Sequence, residues 1–400
     1  MRVAATFFDG ETWREGVLES LPRSASHPEP GSPAHAEPGS PAHPEPVEGR
    51  LRLRAEHPAP GLPRLDGVVT GGFTDAHVHL QLVDAARLAD SVLGRVVDLG
   101  GDPTAFADAL RFDSSLRSSL NERGEGPSND REAGLPNERG EGPSNDRAEG
   151  IPPIRSLSER SESKRGSIEV AFAGAFLTPP GGYPSDRAWA PEGSVREIAD
   201  AEAAASAVAE MKAAGSTRIK VASNSDAGPV FSDALLRTIV AIAASHHLPV
   251  VAHAEGQGEA QRAARLGVRA LAHAPFTERL TDDEIAEQAA SVTWISTLAI
   301  HAPDAFAIAV DNVRRFRAEG GTVRYGTDMG NGPTPVGLHP GEVAALREAG
   351  ADGAGLLRAL APQDPLAAAS RLLLLPGTSP ETADPLLARP LDPADLEDLR

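Results

Sequence analysis

The chain has 400 residues, which is enough for two or three average domains or for one barrel-sized enzyme with additions. It carries 57 acidic and 38 basic residues, and the formal net charge of −19 argues against a cationic surface that follows nucleic-acid phosphates. Because cysteine is absent, disulfide bonds, thiolate zinc sites and cysteine nucleophiles are excluded, and any metal must be bound by His, carboxylate or modified Lys.

The N-terminal segment MRVAATFFDG lacks the basic start and the long apolar stretch of a secretion signal. No run approaches the ~18 apolar residues of a membrane span. We therefore expect a cytoplasmic protein that acts on a small molecule and binds neither nucleic acid nor membrane. Whether it forms a homo-oligomer is left open.

Two stretches of low complexity interrupt the chain. His27, His35 and His43 mark an eight-residue repeat rich in proline, and the segment NERGEGPSNDR occurs at 121–131 and again at 137–147. Both stretches are poor in apolar residues and show neither helical nor strand periodicity, so they cannot bury enough surface to offset chain entropy. We interpret them as inserts that resemble translated DNA repeats. The remainder suffices for one barrel of ~250 residues and a small satellite.

From Gly71 onward, short β-rich runs alternate with Ala-rich amphipathic stretches, as is typical of βα units on a parallel sheet. Eight predicted strands separated by helices fit an α/β fold of the (β/α)8 TIM-barrel type better than an open sheet. The predicted strands are Phe73–Val78, Arg95–Leu99, Glu169–Ala175, Arg218–Ala222, Val250–His253, Ala270–His273, Thr293–Thr297 and Val323–Thr327. The predicted helices are Val195–Ala214, Asp233–His246, Gly258–Leu266, Asp282–Ala290, Asp304–Glu319 and Pro340–Ala349.

Polar residues stand at the carboxyl ends of five predicted strands, in the segments DAHVH, RIKVA, VVAHA, ALAHA and RYGTD. A barrel brings these ends to one mouth, so that groups distant in sequence meet there. Four imidazoles, one amine and one carboxylate at one mouth predict a site for a hard or borderline metal ion. The predicted ligands are His77, His79, Lys220, His253, His273 and Asp328.

Most of these residues also have an ordinary structural explanation. His77 and His79 face the same side of a strand and can bind one ion together, but a bare HxH motif is a weak signal. His253 and His273 could be hydrogen-bonded core residues, although their equivalent positions on consecutive strands favour a shared site. Asp328 could cap a turn. In the metal interpretation it binds an ion and accepts a proton from the water bound there.

Lys220 is one of three lysines among the 38 basic residues; the others are Lys164 and Lys212. Arginine keeps its charge at neutral pH, whereas lysine can lose it, and a neutral amine reacts with carbon dioxide to give a carbamate. Such a carbamate is a carboxylate-like bridge between two metal ions. The alternative is a lysine whose stem packs at the strand end while its amine reaches solvent.

The combined order of HxH, Lys, His, His and Asp at five strand ends resembles the two-metal, carboxylated-lysine pattern of the amidohydrolase superfamily. Within it, the segment VVAHAEGQGEAQRAARLGVRALAHAPFTERLTDDEI is similar to the imidazolonepropionase and Xaa-Pro dipeptidase-like branch. The resemblance covers about Gly71 to Leu374. The chain departs from that branch after His273, where Ala-Pro-Phe replaces Gly. It departs again after Leu374, where the polar tail lacks the strand that closes the small β domain.

The resemblance implies roles for the strand-end residues. His77, His79 and Asp328 would hold the more buried metal, His253 and His273 the second, and carboxylated Lys220 would bridge both. It implies one or two divalent ions, with Zn²⁺ as the first choice and Fe²⁺ or Mn²⁺ as alternatives, and carbon dioxide as the source of the carbamate. The implied enzyme hydrolyses an amide or cyclic amide, not an ordinary peptide bond, by a hydroxide that the metals activate. Asp328 would pass a proton to the leaving nitrogen.

The substrate would be bound by the loops that follow the strands. One rival function is a deaminase that binds one metal through His77, His79, His253 and Asp328 and leaves Lys220 uncarboxylated. The others are a lactone or phosphotriester hydrolase on the same cage and a non-catalytic metal-binding paralogue. The sequence does not choose among hydantoins, imidazolones, N-acyl amino acids, prolyl dipeptides and lactones as substrates. The predicted substrate contacts are Thr178, Tyr183, Asn224, His301, Asn331 and His339.

These observations predict a barrel accompanied by an incomplete β satellite built from the two chain ends. The predicted division is a first part of the small β domain at 1–22 and 51–70, a repeat insert at 23–50, the metal-dependent hydrolase barrel at 71–374 with a second repeat insert at 112–166, and a C-terminal remnant of the small domain at 375–400.

Overall fold

A computed structural model describes residues 1–21, 50–112, 168–367, 371–397 and 399. Apart from their end residues Arg50 and Phe112, the two predicted repeat inserts at 23–50 and 112–166 lie outside these described residues. Their interpretation as inserts, like the predicted division into domains, therefore stays a prediction.

Strands from both ends of the chain form one six-stranded sheet, in the order β16-β15-β4-β1-β2-β3. The pair β1–β4 is parallel, and the other pairs are antiparallel. Apolar residues of β1 and β4, such as Phe7 and Val69, pack with Leu374 and Leu396 from the C-terminal end. The strands are β1 (Arg2–Phe8), β2 (Trp13–Leu21), β3 (Arg50–Arg54), β4 (Arg64–Gly71), β15 (Leu372–Leu375) and β16 (Arg389–Pro390).

The prediction that the C-terminal tail lacks a strand of this sheet is wrong. β15 pairs with β4, with Leu373 opposite Thr70, and β16 pairs with β15 on its other side. β16 has two residues and ends in proline, which an edge strand tolerates because its N–H groups need no ladder partner. A strand of two residues within a proline-rich, polar tail shows no periodicity in the sequence.

Two parallel sheets make up the rest of the fold. A three-stranded sheet has the order β5-β6-β7, and a seven-stranded sheet has the order β14-β13-β12-β11-β10-β8-β9. The predicted α/β class is therefore confirmed. The strands are β5 (Phe73–Val78), β6 (Leu93–Asp98), β7 (Glu169–Phe172), β8 (Phe176–Thr178), β9 (Val195–Glu197), β10 (Ile219–Asn224), β11 (Val250–Glu255), β12 (Ala270–Leu271), β13 (Thr293–Ile295) and β14 (Val323–Arg324).

Backbone hydrogen bonds join the two parallel sheets at both edges. On one side the N–H of Asp328 donates to the carbonyl of His77 at 2.9 Å, so the chain after β14 lies beside β5. On the other side the N–H of Thr217 donates to the carbonyl of Phe172 at 2.9 Å, so the chain before β10 lies beside β7. As a result, the carboxyl ends of β5, β10, β11, β12 and β14 face a common space.

Helices follow most of these strands, and their caps explain where they begin. α2 begins after Asp200, whose carboxylate accepts the N–H of Ala203. The predicted helix Val195–Ala214 therefore starts later, and its first residues form β9 instead. The helices are α1 (Pro103–Phe112), α2 (Ala201–Ala214), α3 (Asp233–Ser245), α4 (Glu259–Arg265), α5 (Asp282–Ala289), α6 (Pro303–Ala318), α7 (Pro340–Glu348), α8 (Gly353–Leu360) and α9 (Ala394–Glu397).

Small apolar side chains fill the space between the parallel strands below the polar strand ends. They form one cluster of Ala76, Val97, Leu99, Ala171, Ala173, Val251, Ala272 and Ile295. Because alternate residues of a strand point to opposite faces, Val251 in this cluster and His253, two residues further along β11, point into the same interior. Among the helices of the described ranges, none combines the length and the apolar character that a membrane span needs.

Candidate metal centre

His77, His79 and Asp328 meet at the carboxyl ends of β5 and β14. The Asp328 Oδ1 atom lies 3.2 Å from Nε2 of His77 and 3.1 Å from Nε2 of His79. One ligand atom from each residue lies within 4.8 Å of the others, and all three side chains are buried. Residues about 250 positions apart in the sequence therefore place their ligand atoms around a space that can hold one ion.

Backbone carbonyls fix the orientation of both imidazoles. Nδ1 of His77 lies 2.8 Å from the carbonyl of Ala272, and Nδ1 of His79 lies 3.0 Å from the carbonyl of Gly100. Because a carbonyl only accepts, each Nδ1 carries the proton, and Nε2 of a neutral ring presents its lone pair to the cluster. This support of the far nitrogen is what metal-binding histidines show.

The cluster fits a cation. Among the described residues, Nε2 of His77 and Oδ1 of Asp328 are buried side-chain atoms without a hydrogen-bond partner. Burial lowers the pKa of His77 well below its usual value, so that ring is neutral. Two facing acceptor atoms in a buried site are costly unless a cation lies between them. The donor set of two imidazoles and one carboxylate suits a divalent transition metal.

Asp328 stays ionised although it is buried. Burial raises its pKa, but the positive charge that His79 can carry beside it holds the pKa well below the usual range, and Asp328 in turn raises the pKa of His79. Its Oδ2 accepts a 2.8 Å hydrogen bond from the Asn331 amide, which leaves Oδ1 directed at the two imidazoles. The backbone of Asp328 has φ 55°, in the left-handed region that Asp tolerates better than branched residues do.

His253 and His273 lie beside this cluster. The ring of His273 is 4.8 Å from that of His77 and 4.9 Å from that of His253, between centroids. Nδ1 of His273 lies 2.8 Å from the hydroxyl of Thr297. Nε2 of His253 instead lies 3.0 Å from a carboxylate oxygen of Glu255, so in this structure its ligand nitrogen has a protein partner.

Lys220 lies on β10 in the same space and is 1% exposed. Burial lowers the pKa of its amine to about 8, although Asp328 and Asp98 oppose the shift. The Nζ atom lies 5.7 Å from the centroid of the Phe176 ring. The amine therefore does not reach solvent, and the alternative of a solvent-reaching lysine at a strand end is wrong.

These side chains line a cavity of about 260 Å³, which includes all six predicted metal ligands. Of the predicted substrate contacts, Tyr183, His301, Asn331 and His339 also line it. Thr178 and Asn224 do not. Thr178 is fully buried at the end of β8, and the Asn224 amide donates to Glu255 at 2.9 Å.

Comparison with solved structures identifies the fold. A Xaa-Pro dipeptidase with methionine bound in its active site is 15% identical over 94% of each chain, with a TM-score of 0.57. Ochratoxinase of A. niger is 12% identical over 97% of this chain and 92% of that chain, with a TM-score of 0.58. An amidohydrolase is 14% identical over 97% of this chain and 95% of that chain, with a TM-score of 0.57. The chain has the amidohydrolase fold. The predicted resemblance to the amidohydrolase superfamily is thus confirmed for the fold.

No protein-family model matches the chain, and a search of curated proteins gave no match either. At sequence identities of 12–15%, the similarity to these proteins lies in the arrangement of the backbone, and few residues are shared.

Two buried carboxylates support the ligands of this amidohydrolase fold and were missed from the sequence. Asp75 accepts hydrogen bonds from the N–H of His77 at 3.1 Å and from the hydroxyl of Thr327 at 2.6 Å. Asp98 accepts from the N–H of Gly100 at 2.9 Å, and the carbonyl of Gly100 orients His79. Burial raises the pKa of Asp75 to about 7 and that of Asp98 to about 6.

Glu255 and several aromatic rings of the cavity were also missed. Glu255 follows His253 by two residues on β11, so the strand period alone places both on one face. Phe176, Trp189 and Phe276 line the cavity, but Trp189 and Phe276 lie in loops and Phe176 begins a three-residue strand, so none of them gives a periodic signal. The signal for Glu255 was therefore present in the sequence, and that for the rings was not.

Proposed function

We propose that this protein is a metal-dependent hydrolase of carbon–nitrogen bonds that acts on amides or cyclic amides, as a member of the amidohydrolase superfamily. The observation that carries the proposal is the convergence of His77, His79 and Asp328, with unpartnered buried acceptor atoms, at a cavity that holds the other predicted ligands. The proposal includes a (β/α)8 barrel, supported by the hydrogen bonds that join both edges of the parallel sheets.

His77, His79 and Asp328 would hold the first ion, and His253 and His273 the second. The ring contacts of His273 with His77 and with His253 support a continuous ligand set. A bound divalent ion would supply Lewis acidity and would lower the pKa of water toward neutrality. We propose Zn²⁺ first, with Fe²⁺ or Mn²⁺ as alternatives, since imidazole and carboxylate suit all three.

Lys220 would serve as the bridge in carboxylated form. With a pKa of about 8, its amine is partly neutral at physiological pH, and its nitrogen can attack carbon dioxide. A C–N bond forms, an electron pair of carbon dioxide moves to oxygen, and one N–H proton passes to solvent. The product is an anionic carbamate that replaces a buried positive charge with a ligand.

Asp328 would move the proton in the reaction. Its carboxylate is ionised, and the Asn331 amide holds Oδ2 while Oδ1 faces the cluster. It can accept a proton from the attacking water and donate it to the leaving nitrogen, and this proton lets the C–N bond break. Tyr183, His301, Asn331 and His339 would contact the substrate, because all four line the cavity.

A one-metal deaminase is the second candidate. It is favoured by the compact cluster of His77, His79 and Asp328 among the described residues, which fits a single ion. Such an enzyme would bind one ion per chain, leave Lys220 uncarboxylated and release ammonia from an amino-substituted heterocycle. Two ions per chain would exclude it.

Metal content of the purified protein tests the site. We expect two ions per chain with bicarbonate present, falling to one or none in Lys220→Ala. Lys212→Ala is the matched control, because Lys212 lies exposed on α2. Unchanged metal content in Lys220→Ala would remove this lysine from the site.

Hydrolysis of a panel of hydantoins, imidazolones, N-acyl amino acids, prolyl dipeptides and lactones tests the activity. Asp328→Asn should lower kcat by about 10²–10⁴-fold, the usual contribution of a general acid–base group. Asp304→Asn, an exposed carboxylate at the start of α6, should leave it unchanged. Turnover that survives in Asp328→Asn would contradict the proposed role.

A further inference from the structure

Aromatic and imidazole rings form a closed circuit around the cavity. Consecutive ring centroids along this circuit lie between 4.8 and 6.3 Å apart. Its metal-binding side consists of the imidazoles, and its other side consists of aromatic rings that bind no ion. In order, the circuit runs through His77, His79, Phe176, Trp189, Tyr183, His253 and His273.

Two further rings extend the circuit beyond His273. The Phe276 and His301 rings are stacked, with centroids 4.1 Å apart and planes inclined by 28°. Both lie near the ring of His273, at 6.1 and 6.4 Å between centroids. Phe276 is 5% exposed, so this stack is a rigid piece of wall and not a mobile surface group.

Tyr183 and Trp189 form a second piece of wall. Their rings meet edge to face at 5.6 Å, and the Tyr183 ring lies 5.1 Å from that of His253. Both pieces therefore adjoin residues that would hold the second ion. A substrate whose reacting bond lies over the histidines can place its next group against one of these walls.

We propose that these walls form a subsite for a planar aromatic group, and that the substrates are amides that carry an aryl ring close to the scissile C–N bond. The proposal rests on the proposed function and deepens it. Aromatic rings prefer offset-stacked or edge-to-face partners, and such pairs are worth more than the area they bury. A saturated ring of similar size buries comparable area but offers no quadrupole to match these faces.

Two pairs of amides isolate this preference. 2-Phenylacetamide and 2-cyclohexylacetamide release the same ammonia, and a methylene separates the ring from the carbonyl in both. N-Benzylacetamide and N-(cyclohexylmethyl)acetamide place the ring on the amine side. We expect kcat/KM of the metal-loaded protein to favour the phenyl compound by about tenfold in at least one pair. Equal values within both pairs, with hydrolysis observed, would overturn the subsite while the proposed function stands.

Substitutions of the cavity rings test which side chains cause the preference for phenyl over cyclohexyl amides. Phe276→Leu keeps an apolar side chain but removes the aromatic plane, and it should reduce the phenyl preference to about threefold or less. Tyr183→Leu, at a half-buried position, is a second variant should Phe276→Leu fail to fold. Trp13→Leu is the matched control, because Trp13 packs edge to face on Phe8 in the six-stranded sheet. A preference that persists in both cavity variants contradicts the assignment.

Binding separates this proposal from the activity. The four amides are titrated into the same metal-loaded protein and observed by ligand-detected NMR. A phenyl preference in binding that Phe276→Leu abolishes, without hydrolysis of any amide, supports the subsite and contradicts the proposed function. Hydrolysis or binding without a phenyl preference contradicts the subsite.

Discussion

The hydroxyl of Thr297 lies 2.8 Å from Nδ1 of His273. Thr297 has φ 43°, a left-handed conformation that costs a β-branched residue free energy. Its N–H donates to the carbonyl of Gly326 at 3.0 Å, and a short 3₁₀ helix begins directly after it, at Leu298–Ile300. The strained turn thus presents its hydroxyl to the histidine. When Nδ1–H donates to that hydroxyl, Nε2 of His273 keeps its lone pair for an ion.

Thr297→Val should weaken binding of the second metal ion. Valine keeps the shape of threonine but removes the hydroxyl, and loss of such a partner typically costs 10–100-fold in metal affinity. Competition with a chromophoric chelator measures the affinity of each site. Thr297→Ser is the control, because it retains the hydroxyl and should stay close to the parent protein. Equal affinity of the valine and serine variants would show that the hydroxyl does not support His273.

Glu342 holds the same turn from the other side. Its carboxylate on α7 is fully buried and accepts the N–H of Leu298 at 3.0 Å and that of Ala299 at 2.7 Å. Burial raises its pKa from 4.5 to about 7. The position of Leu298 and Ala299, which precede His301 in the chain, therefore depends on a carboxyl group with a pKa close to physiological pH.

The raised pKa makes stability depend on pH in a defined direction. Below pH 4.5 Glu342 is protonated in both states, so its contribution is fully present. Between pH 4.5 and about 7 the unfolded chain loses the proton while the folded protein keeps it, and that contribution is lost as pH rises. In Glu342→Gln this dependence disappears, so the Tm difference between parent and variant should shrink from pH 5 to pH 8. Glu348→Gln, exposed on the same helix, should show a constant difference.

Much of this site could be predicted from the sequence, since most of the predicted ligands stand at or just after the ends of strands that the sequence pattern indicates. His77 and His79 share a face because strand residues alternate, and the same rule would have found Glu255. Lys220 was singled out because the chain uses arginine almost everywhere else. The structure places all six predicted ligands on one cavity.

Asp75 lies only two residues before His77, but the other supporting residues could not be predicted because they act on histidines far away in sequence. Asp98 reaches His79 through the carbonyl of Gly100, and Glu342 reaches His273 through the turn at Thr297. The residue types alone do not predict such interactions. The strand β16 was missed for a different reason, because two residues ending in proline carry no pattern.

Removing the metal should lower the stability of the folded protein. An ion present at 100 times its dissociation constant stabilises by about 2.7 kcal/mol, because it binds the folded state alone. Dialysis against a chelator should therefore lower Tm, and Zn²⁺ should restore it. In Asp328→Asn most of the increase in Tm on adding Zn²⁺ should vanish, since an amide replaces the anionic carboxylate between His77 and His79. Asp304→Asn should keep it. An increment that survives in Asp328→Asn would place the stabilising ion elsewhere.

Arg371 links the six-stranded sheet to the parallel strands. Its guanidinium is nearly buried and donates to the carbonyls of Ala89 at 2.9 Å, Ser91 at 2.5 Å and Leu93 at 3.1 Å. Methionine at this position would fill similar volume but would leave three carbonyls without this donor. A buried acceptor left unsatisfied costs about 1–3 kcal/mol. The carbonyl of Leu93 is buried and the other two are partly buried, so Arg371→Met should destabilise by about 3 kcal/mol in total.

Thermal unfolding measures this effect. For a chain of 400 residues, the usual unfolding entropy per residue makes 1 kcal/mol correspond to about 1–2 °C. Tm should therefore fall by roughly 3–6 °C in Arg371→Met. Arg389→Met is the matched control, because Arg389 on β16 is 45% exposed and pairs with Asp395 at the surface. An exposed pair is worth about 1 kcal/mol or less, so its loss should lower Tm by about 2 °C at most. Equal shifts in the two variants would mean that the carbonyls near β6 find other donors and that Arg371 does not join the sheets.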